Sequence, residues 1–332
     1  MTKVDWSAIN HGRFYYALVN SKAMRASTSL KRDVNDMPKA KVLNNLTEIE
    51  RWMANAPNPA TFRSNDDFMG FTVELMSRAL YLLRVGVSLA PSSEIAERGY
   101  TKHRAIAIGH MVRITKLYEG LLIHVSKRQL ELATIFTRLI FEAAVRLEYL
   151  ITSKKKRASF RSFILSSYKP EKEVLEDLNQ KAKTRPLIQI EKRMRRKMKS
   201  RLTADQISMK ELMTNKNWRL DGKDFRRILN DIGQGGIYAY GFGSSSHFVH
   251  GDWYDISIHQ IKKEGRYYHP DLEFDDPDPR IACSVTTICL GTLLKFLKWN
   301  RSDPDNYVRP IITKLMNLNR AVDAAHENSL TD

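Results

Sequence analysis

The chain has 332 residues, of which 42% are hydrophobic, and a formal net charge of +17. It is long enough for one large domain or two ordinary ones, and its composition is that of a soluble globular protein. The only two cysteines, Cys283 and Cys289, exclude a disulfide framework and match no zinc pattern, so we expect buried thiols in a reducing compartment. The start, "MTKVDWSAIN", lacks a signal-peptide pattern, and the apolar run at 281–294 is shorter than the roughly 20 residues of a membrane span. A cytoplasmic protein without a membrane partner is therefore expected.

The predicted elements are mostly helices, because apolar residues recur at helical spacing and sustained strand alternation is scarce. Taken in chain order, helices are predicted at 4–35, 41–54, 66–90, from 92 or 93 to about 125, 127–152, 203–213, 221–233, 281–299 and 305–326. Between 152 and 203 lie further, basic helices, which are broken at Pro170 and Pro186. The stretch "GQGGIYAYGFGSSS" (233–246) predicts a flexible, irregular glycine-rich loop, and a polar loop follows at 262–280. The expected fold class is mainly α, a helical bundle.

The chain divides by pattern into three parts. Residues 1–65 form a predicted N-terminal helical extension, 66–300 a helical core domain, and 301–332 a C-terminal helix and tail. Within the core domain, 154–201 is set apart as a basic insert, with 17 Lys and Arg against five Asp and Glu. Because such a segment attracts polyanions through counterion release, it favours a nucleic-acid contact over a merely solvated surface. The candidate contact residues are Lys192, Arg193, Arg195, Arg196, Lys197 and Lys199.

The predicted helix around "TRLIFEAAVRLEYL" (137–150) carries charges on an otherwise apolar surface. Arg138, Glu142 and Arg146 are four residues apart, so they form one stripe along a helix that should be largely buried. Buried charges need partners or a water-filled cleft. The stripe therefore predicts either an internal ion-pair ladder or a polar cleft in which the two arginines meet a phosphate.

The segment "SSSHFVHGDWYDISIH" (244–259) collects groups that can move protons or bind an anion. His247 and His250 would share one face of a helix, and the serines at 244–246 could cap that helix. His250 directly precedes Gly251, where a backbone can approach a ligand closely. These features make the segment the main candidate for a functional site.

The same segment carries a resemblance to a bacterial family of helical proteins of unknown function. Its pattern is a Ser-x-x-x-His-Gly segment followed by Trp, Asp and His, with an Arg-x-x-x-Glu element on an upstream helix. The matching positions here are Ser246, His250, Gly251, Trp253, Asp255 and His259, with Arg138 and Glu142 upstream. The resemblance covers roughly residues 70–300.

That family is similar in layout to HEPN-type helical bundles, many of which are metal-independent ribonucleases or nucleotide-modifying toxins of bacterial defence systems. The resemblance implies a HEPN-like bundle. The usual HEPN signature places an arginine a few residues before the histidine, whereas positions 243–246 are Gly-Ser-Ser-Ser. An arginine for His250 would have to come from Arg138 or Arg146.

The first functional hypothesis is an endoribonuclease that needs neither metal nor cofactor. His250 would be the acid/base, because imidazole titrates near neutral pH. Arg138 and Arg146 would hold the phosphate, Glu142 would orient them, and Ser246 would complete the site. The expected partners are nucleic acid, with RNA favoured, and either a second copy of the chain or a defence-system protein.

Two alternatives remain open on the sequence. In a non-catalytic nucleic-acid-binding sensor or regulator, His250 would be an enclosed residue that fixes its loop to the Arg–Glu stripe. In a metal-dependent hydrolase, His247, His250, Asp252 and Glu142 would be the ligands, although their spacing matches no common metal motif. A Walker A sequence and a GxSxG element are both absent from the chain.

Overall fold

The computed structural model describes residues 39–243, 245–303 and 305–330. Over these ranges the protein is mainly α-helical, as the sequence predicts, and its strands form a two-stranded antiparallel sheet. The predicted helix at 4–35 lies outside the described residues.

The helices and strands are named here in chain order. The first five helices are α1 (Lys39–Ala54), α2 (Asn65–Ser88), α3 (Ser93–Arg98), α4 (Lys102–Ser126) and α5 (Leu130–Thr152). There follow α6 (Lys156–Ser166), α7 (Lys169–Thr184), α8 (Gln189–Ala204), α9 (Met209–Thr214) and α10 (Phe225–Asp231). The last elements are α11 (Ser246–His250), α12 (Trp253–His259), β1 (Ile261–Glu264), β2 (Tyr267–Pro270), α13 (Pro279–Asn300) and α14 (Val308–Ser329).

The chain folds as two compact units. One, called the bundle unit here, comprises the described residues from Lys39 to Glu148 together with the described residues from Ile237 onward. The other, called the basic unit, runs from Tyr149 to Gly236 and contains the basic segment 154–201.

Four long helices form the centre of the bundle unit. Helix α2 packs against α4, α13 and α14, and α13 also packs against α4 and α14. The helices come close where small residues allow it, since the side chain of Leu293 on α13 lies directly against Gly86 on α2. Tyr118 on α4 is fully buried, and its hydroxyl shares a 2.6 Å hydrogen bond with Thr286 on α13. A polar pair thus joins two helices inside the core.

Local signals explain where these helices begin and end. Ser64 and Asp67 form a capping box at the start of α2, which satisfies backbone N–H groups that have no partner within the helix. The sequence predicted one helix from 92 or 93 to about 125, and this was wrong. The chain forms α3 and α4 instead, because Gly99 between them adopts a φ of +85°, which terminates a right-handed helix.

The apolar run at 281–294 is the centre of α13, which has 22 residues. By length and composition α13 could cross a membrane, but 56% of its most apolar stretch is buried within the protein. Its two cysteines are buried, as predicted, and burial raises the pKa of the Cys283 thiol to about 12. We therefore interpret α13 as a core helix with unreactive thiols.

The glycine-rich stretch is more regular than the sequence predicted. It forms a short 3₁₀ turn at Gly235–Ile237 and a π-helical turn at Tyr238–Gly243. The Ser245 hydroxyl donates to the Gly241 carbonyl at 3.0 Å, and the Phe141 ring lies against Gly241. These contacts give the segment a defined course. The predicted polar loop at 262–280 likewise contains most of the β1–β2 hairpin.

The basic unit has its own small core, formed by Tyr168, Leu175, Leu202, Ile207 and Leu212. The unit contains α6 to α10, and residues of α6, α7, α8 and α9 form or pack against this core. Helix α8 begins where Glu191 accepts the Ile188 N–H and pairs with Arg185. The helix contributes only a narrow stripe to the core, with Glu191 and Leu202 buried, so most of its circumference faces solvent.

Candidate functional site

The charged stripe on α5 is an ion-pair ladder. Arg138 Nε donates to Glu142 Oε1 at 2.9 Å, and Arg146 donates to Glu142 Oε2 at 3.2 Å. The helix around it is largely buried, as its apolar pattern predicted. Glu142 thus joins the two arginines and offsets part of their charge.

Arg138 has further partners in the glycine-rich segment. Its guanidinium donates a short hydrogen bond to the Phe242 carbonyl and lies 3.1 Å from the centroid of the Phe242 ring. The residue is only 6% exposed, whereas the Arg146 side chain is 47% exposed. Arg138 therefore fastens the π-helical turn to α5, and Arg146 is the arginine of the ladder that an external phosphate can reach.

His250 lies at the exposed C-terminal end of α11. Among the described residues it makes no hydrogen bond or ion pair, and none joins it or Ser246 to the ladder. An enclosed, purely structural His250 would have been buried among partners, and it is not. The proposed catalytic set is thus brought together only in part: Arg138, Glu142 and Arg146 are in contact.

The other histidine of α11 has a carboxylate partner. His247 Nδ1 lies 2.7 Å from Asp252 Oδ2, and this hydrogen bond lowers the pKa of Asp252. Asp252 also caps α12, since it accepts the N–H groups of Tyr254 and Asp255. The prediction that a serine side chain caps α11 was wrong for Ser245, which donates to the preceding turn instead. Of the metal set considered from the sequence, only His247 and Asp252 touch.

A second histidine–carboxylate group was missed by the sequence reasoning. His259 Nδ1 lies 2.5 Å from Asp275 Oδ2, and Glu131 Oε1 accepts the Asp275 N–H at 3.2 Å. The Leu130 N–H at the start of α5 donates to the Asp275 carbonyl at 2.9 Å. The sequence drew attention to His259 through its family resemblance, but nothing in it paired His259 with residues so far away along the chain.

The cations of α8 differ from those of α7 in their partners. On α7, Lys169, Lys172 and Lys181 each form an ion pair with an acidic residue one turn away. On α8, five exposed cations form no ion pair within the described chain; they are Lys192, Arg193, Arg196, Lys197 and Lys199. Arg195 is half-buried. Helix α8 is therefore a cationic surface whose charge is not neutralised by the described part of the protein.

Comparison with known proteins identifies one similarity. Residues 104–267 match the model of a family of unknown function, DUF5677. This range includes the ladder, the histidine segment and α8. No curated protein and no solved structure matches the chain.

Proposed function

We propose that the protein binds nucleic acid, with RNA favoured, through the exposed face of α8. The observation that carries this proposal is the group of five exposed cations on that helix without an acidic partner among the described residues. Neutralised lysines, such as those of α7, would have to give up an ion pair before they could contact a phosphate. Those of α8 release only counterions from the nucleic acid, which favours binding at low salt.

The geometry of α8 also suits a polyanion better than a small acidic ligand. Its five exposed cations spread over roughly 160° of the helix surface at about 100° per residue, and its single buried stripe packs against the rest of the basic unit. A surface of this kind contacts successive phosphates without reading bases. The proposed function is therefore that of a nucleic-acid-binding protein, such as a sensor or regulator, with little dependence on base sequence.

The experiment compares two charge reversals of equal size. Lys192→Glu with Lys197→Glu alters exposed, unpaired lysines on α8, while Lys169→Glu with Lys181→Glu alters paired lysines on α7. Fluorescence anisotropy with a labelled single-stranded RNA measures the affinity of each. We expect the affinity for RNA to fall about tenfold or more in the α8 variant and to fall much less in the α7 variant. Equal affinities for both variants and for the wild type would contradict the proposal.

A second candidate function is metal-independent RNA cleavage, and the exposure of His250 favours it. An exposed imidazole without a protein partner in the described residues can exchange protons with a bound substrate. Arg146, held by Glu142 and 47% exposed, is the available phosphate ligand. Arg138 would act by holding Glu142 and the adjacent turn in place rather than by touching the phosphate.

Cleavage is tested separately from binding. If the protein cleaves RNA, His250→Ala should reduce the rate about 10²–10⁴-fold and leave RNA affinity unchanged, because one proton-transfer group is removed. His247→Ala serves as the control, since His247 is engaged with Asp252. Cleavage that persists in His250→Ala, or that stops in a chelator and returns with manganese, would exclude this mechanism.

The remaining elements of the proposal follow from the resemblance stated above. They are a HEPN-like layout of the bundle, a role in a bacterial defence or toxin system, and a cytoplasmic location. The helical content of the protein supports the first of these. A partner protein or a second copy of the chain is supported by the exposed apolar side chains of the histidine segment and the hairpin, namely Trp253, Tyr254, Ile258, Tyr267 and Tyr268.

A further inference from the structure

We propose that Glu131, His259 and Asp275 form a binding site for a divalent transition-metal ion of the zinc type. One potential ligand atom from each of the three side chains lies within 4.8 Å of the other two. An imidazole nitrogen with two carboxylate oxygens is a ligand set that zinc accepts. This inference goes beyond nucleic-acid binding and does not depend on it.

The buried carboxylate of Glu131 indicates that a cation belongs here. Glu131 is only 8% exposed, and its Oε2 atom is buried without a hydrogen-bond partner within the described chain. Its other oxygen receives the Asp275 N–H. A buried carboxylate oxygen without a partner is costly, so such an atom calls for a ligand. The neighbouring groups, His259 and Asp275, are themselves metal-ligand types.

The distances fit an ion after a small adjustment. Ligand atoms around a tetrahedral zinc ion, at about 2.0–2.2 Å from it, are roughly 3.4 Å apart. The widest present separation, up to 4.8 Å, must therefore close by about 1.4 Å, and His259 Nδ1 and Asp275 Oδ2, now 2.5 Å apart, must separate by about 0.9 Å or bind the ion through their other atoms. The Asp275 side chain is 53% exposed, so it can move, and solvent can reach the site from its side. Three protein ligands leave a fourth position for water.

The loop that carries Asp275 is already fixed by its backbone. The Asp275 carbonyl accepts the Leu130 N–H, and the Asp275 N–H donates to Glu131. The side chain of Asp275 is therefore not needed to hold the loop in place. For this reason Asp275→Asn removes a charged ligand while leaving the backbone contacts intact, and it is the variant least expected to unfold the protein.

The chain supplies a matched control in the His247–Asp252 pair. This pair has the same histidine–carboxylate contact, at 2.7 Å, but is not part of a three-ligand group in the described residues. If zinc merely bound any histidine–carboxylate pair, Asp252→Asn would weaken binding as much as Asp275→Asn. If the three-ligand group is the site, only Asp275→Asn and Glu131→Gln should weaken it.

The experiment is a calorimetric titration of zinc chloride into the full chain after treatment with a chelator. We expect one tight site per chain in the wild type and in Asp252→Asn, and affinity at least about tenfold lower in Asp275→Asn and Glu131→Gln. Circular dichroism verifies that each variant is folded. A folded wild type that binds no zinc would overturn the proposal, and so would equal affinity in all four proteins.

Discussion

At the scale of single residues, His110 on α4 makes the stability of the protein depend on pH. Burial, followed by the positive charges of Arg146 and Arg113, lowers the pKa of His110 to about 4. In the unfolded chain the value is about 6.5, so the unfolded state binds the proton more readily between these values. The contribution of neutral His110 to the free energy of unfolding is therefore fully present above about pH 6.5 and is lost as the pH falls toward about 4.

We expect His110→Gln to flatten this pH dependence. In urea unfolding between pH 7 and pH 4, His110 should lower the free energy of unfolding of the wild type by up to about 1.4 kcal/mol for each pH unit. This contribution should be absent in the variant. Met111→Leu, at the next position of the same helix, removes no titratable group and is the control, which should lose stability with falling pH as the wild type does. If His110→Gln and wild type lose stability in parallel over this range, His110 is not the group responsible.

Arg138 and Arg146 share Glu142 but should differ in what they contribute to stability. Arg138 is buried and also holds the Phe242 carbonyl, so Arg138→Ala should lower the free energy of unfolding by about 2 kcal/mol. Arg146 is half-exposed, so Arg146→Ala should cost less than about 0.5 kcal/mol. Denaturant titration compares the two, and an equal loss in both would show that the contact with Phe242 is unimportant.

The ion-pair ladder on α5 shows which contacts the spacing of residues can predict and which it cannot. The spacing of Arg138, Glu142 and Arg146 predicted their mutual contact, because a helix brings residues four apart together regardless of the rest of the fold. The same spacing left the choice between a ladder and a phosphate cleft open. That choice depends on Phe242, which lies 104 residues beyond Arg138. No local pattern encodes such a contact.

At the scale of helices, α2 offers a matched pair of glycines. A Cβ atom added at Gly86 would lie 2.6 Å from Leu293 Cδ1, and Leu293 is fully buried, so it has little room to move. Gly86→Ala should therefore lower the free energy of unfolding by about 1–3 kcal/mol. A Cβ at Gly70 on the same helix meets nothing within 4 Å, so Gly70→Ala should raise it by about 0.5–1 kcal/mol.

Urea unfolding of both variants tests this account of the α2–α13 contact. The change in the free energy of unfolding should have opposite signs in the two variants, because both sites gain the helical preference of alanine and only the one at Gly86 faces a closely packed neighbour. A stabilised Gly86→Ala protein would mean that α2 and α13 are less closely packed than described.

Helices were predictable where the residues that set the start, the apolar face and the end of the helix all lie within or next to it in the sequence. Helix α2 was expected at 66–90 and runs over Asn65–Ser88, and α13 was expected at 281–299 and runs over Pro279–Asn300. The prediction failed at Gly99, in the glycine-rich stretch and at 203–213, where α8 ends at Ala204 and α9 begins only at Met209. At Gly99 a single backbone torsion divides two helices. In the glycine-rich stretch the contact of Gly241 with α5 orders a segment whose own preference for regular secondary structure is weak.

At the scale of the whole molecule, the chain combines an apolar helical bundle with a separate compact unit that carries much of its positive charge. Composition predicted the basic segment, but not which of its cations would remain unpaired. That distinction depends on acids placed one turn from the lysines of α7 and not beside the exposed cations of α8. The Glu131–His259–Asp275 group, by contrast, depends on tertiary structure, since Glu131 and Asp275 are 144 positions apart.

The most direct test of the central claim is the salt dependence of RNA binding. The measurement is the slope of log affinity against log salt concentration for the wild type and for the triple variant Arg193→Glu, Arg196→Glu and Lys197→Glu. Removing one phosphate contact should reduce the magnitude of this slope by about 0.7 on single-stranded RNA. We predict a steep wild-type slope whose magnitude falls by about 2 in the variant. A wild type that binds no RNA at low salt, or a slope unchanged in the variant, would contradict the account.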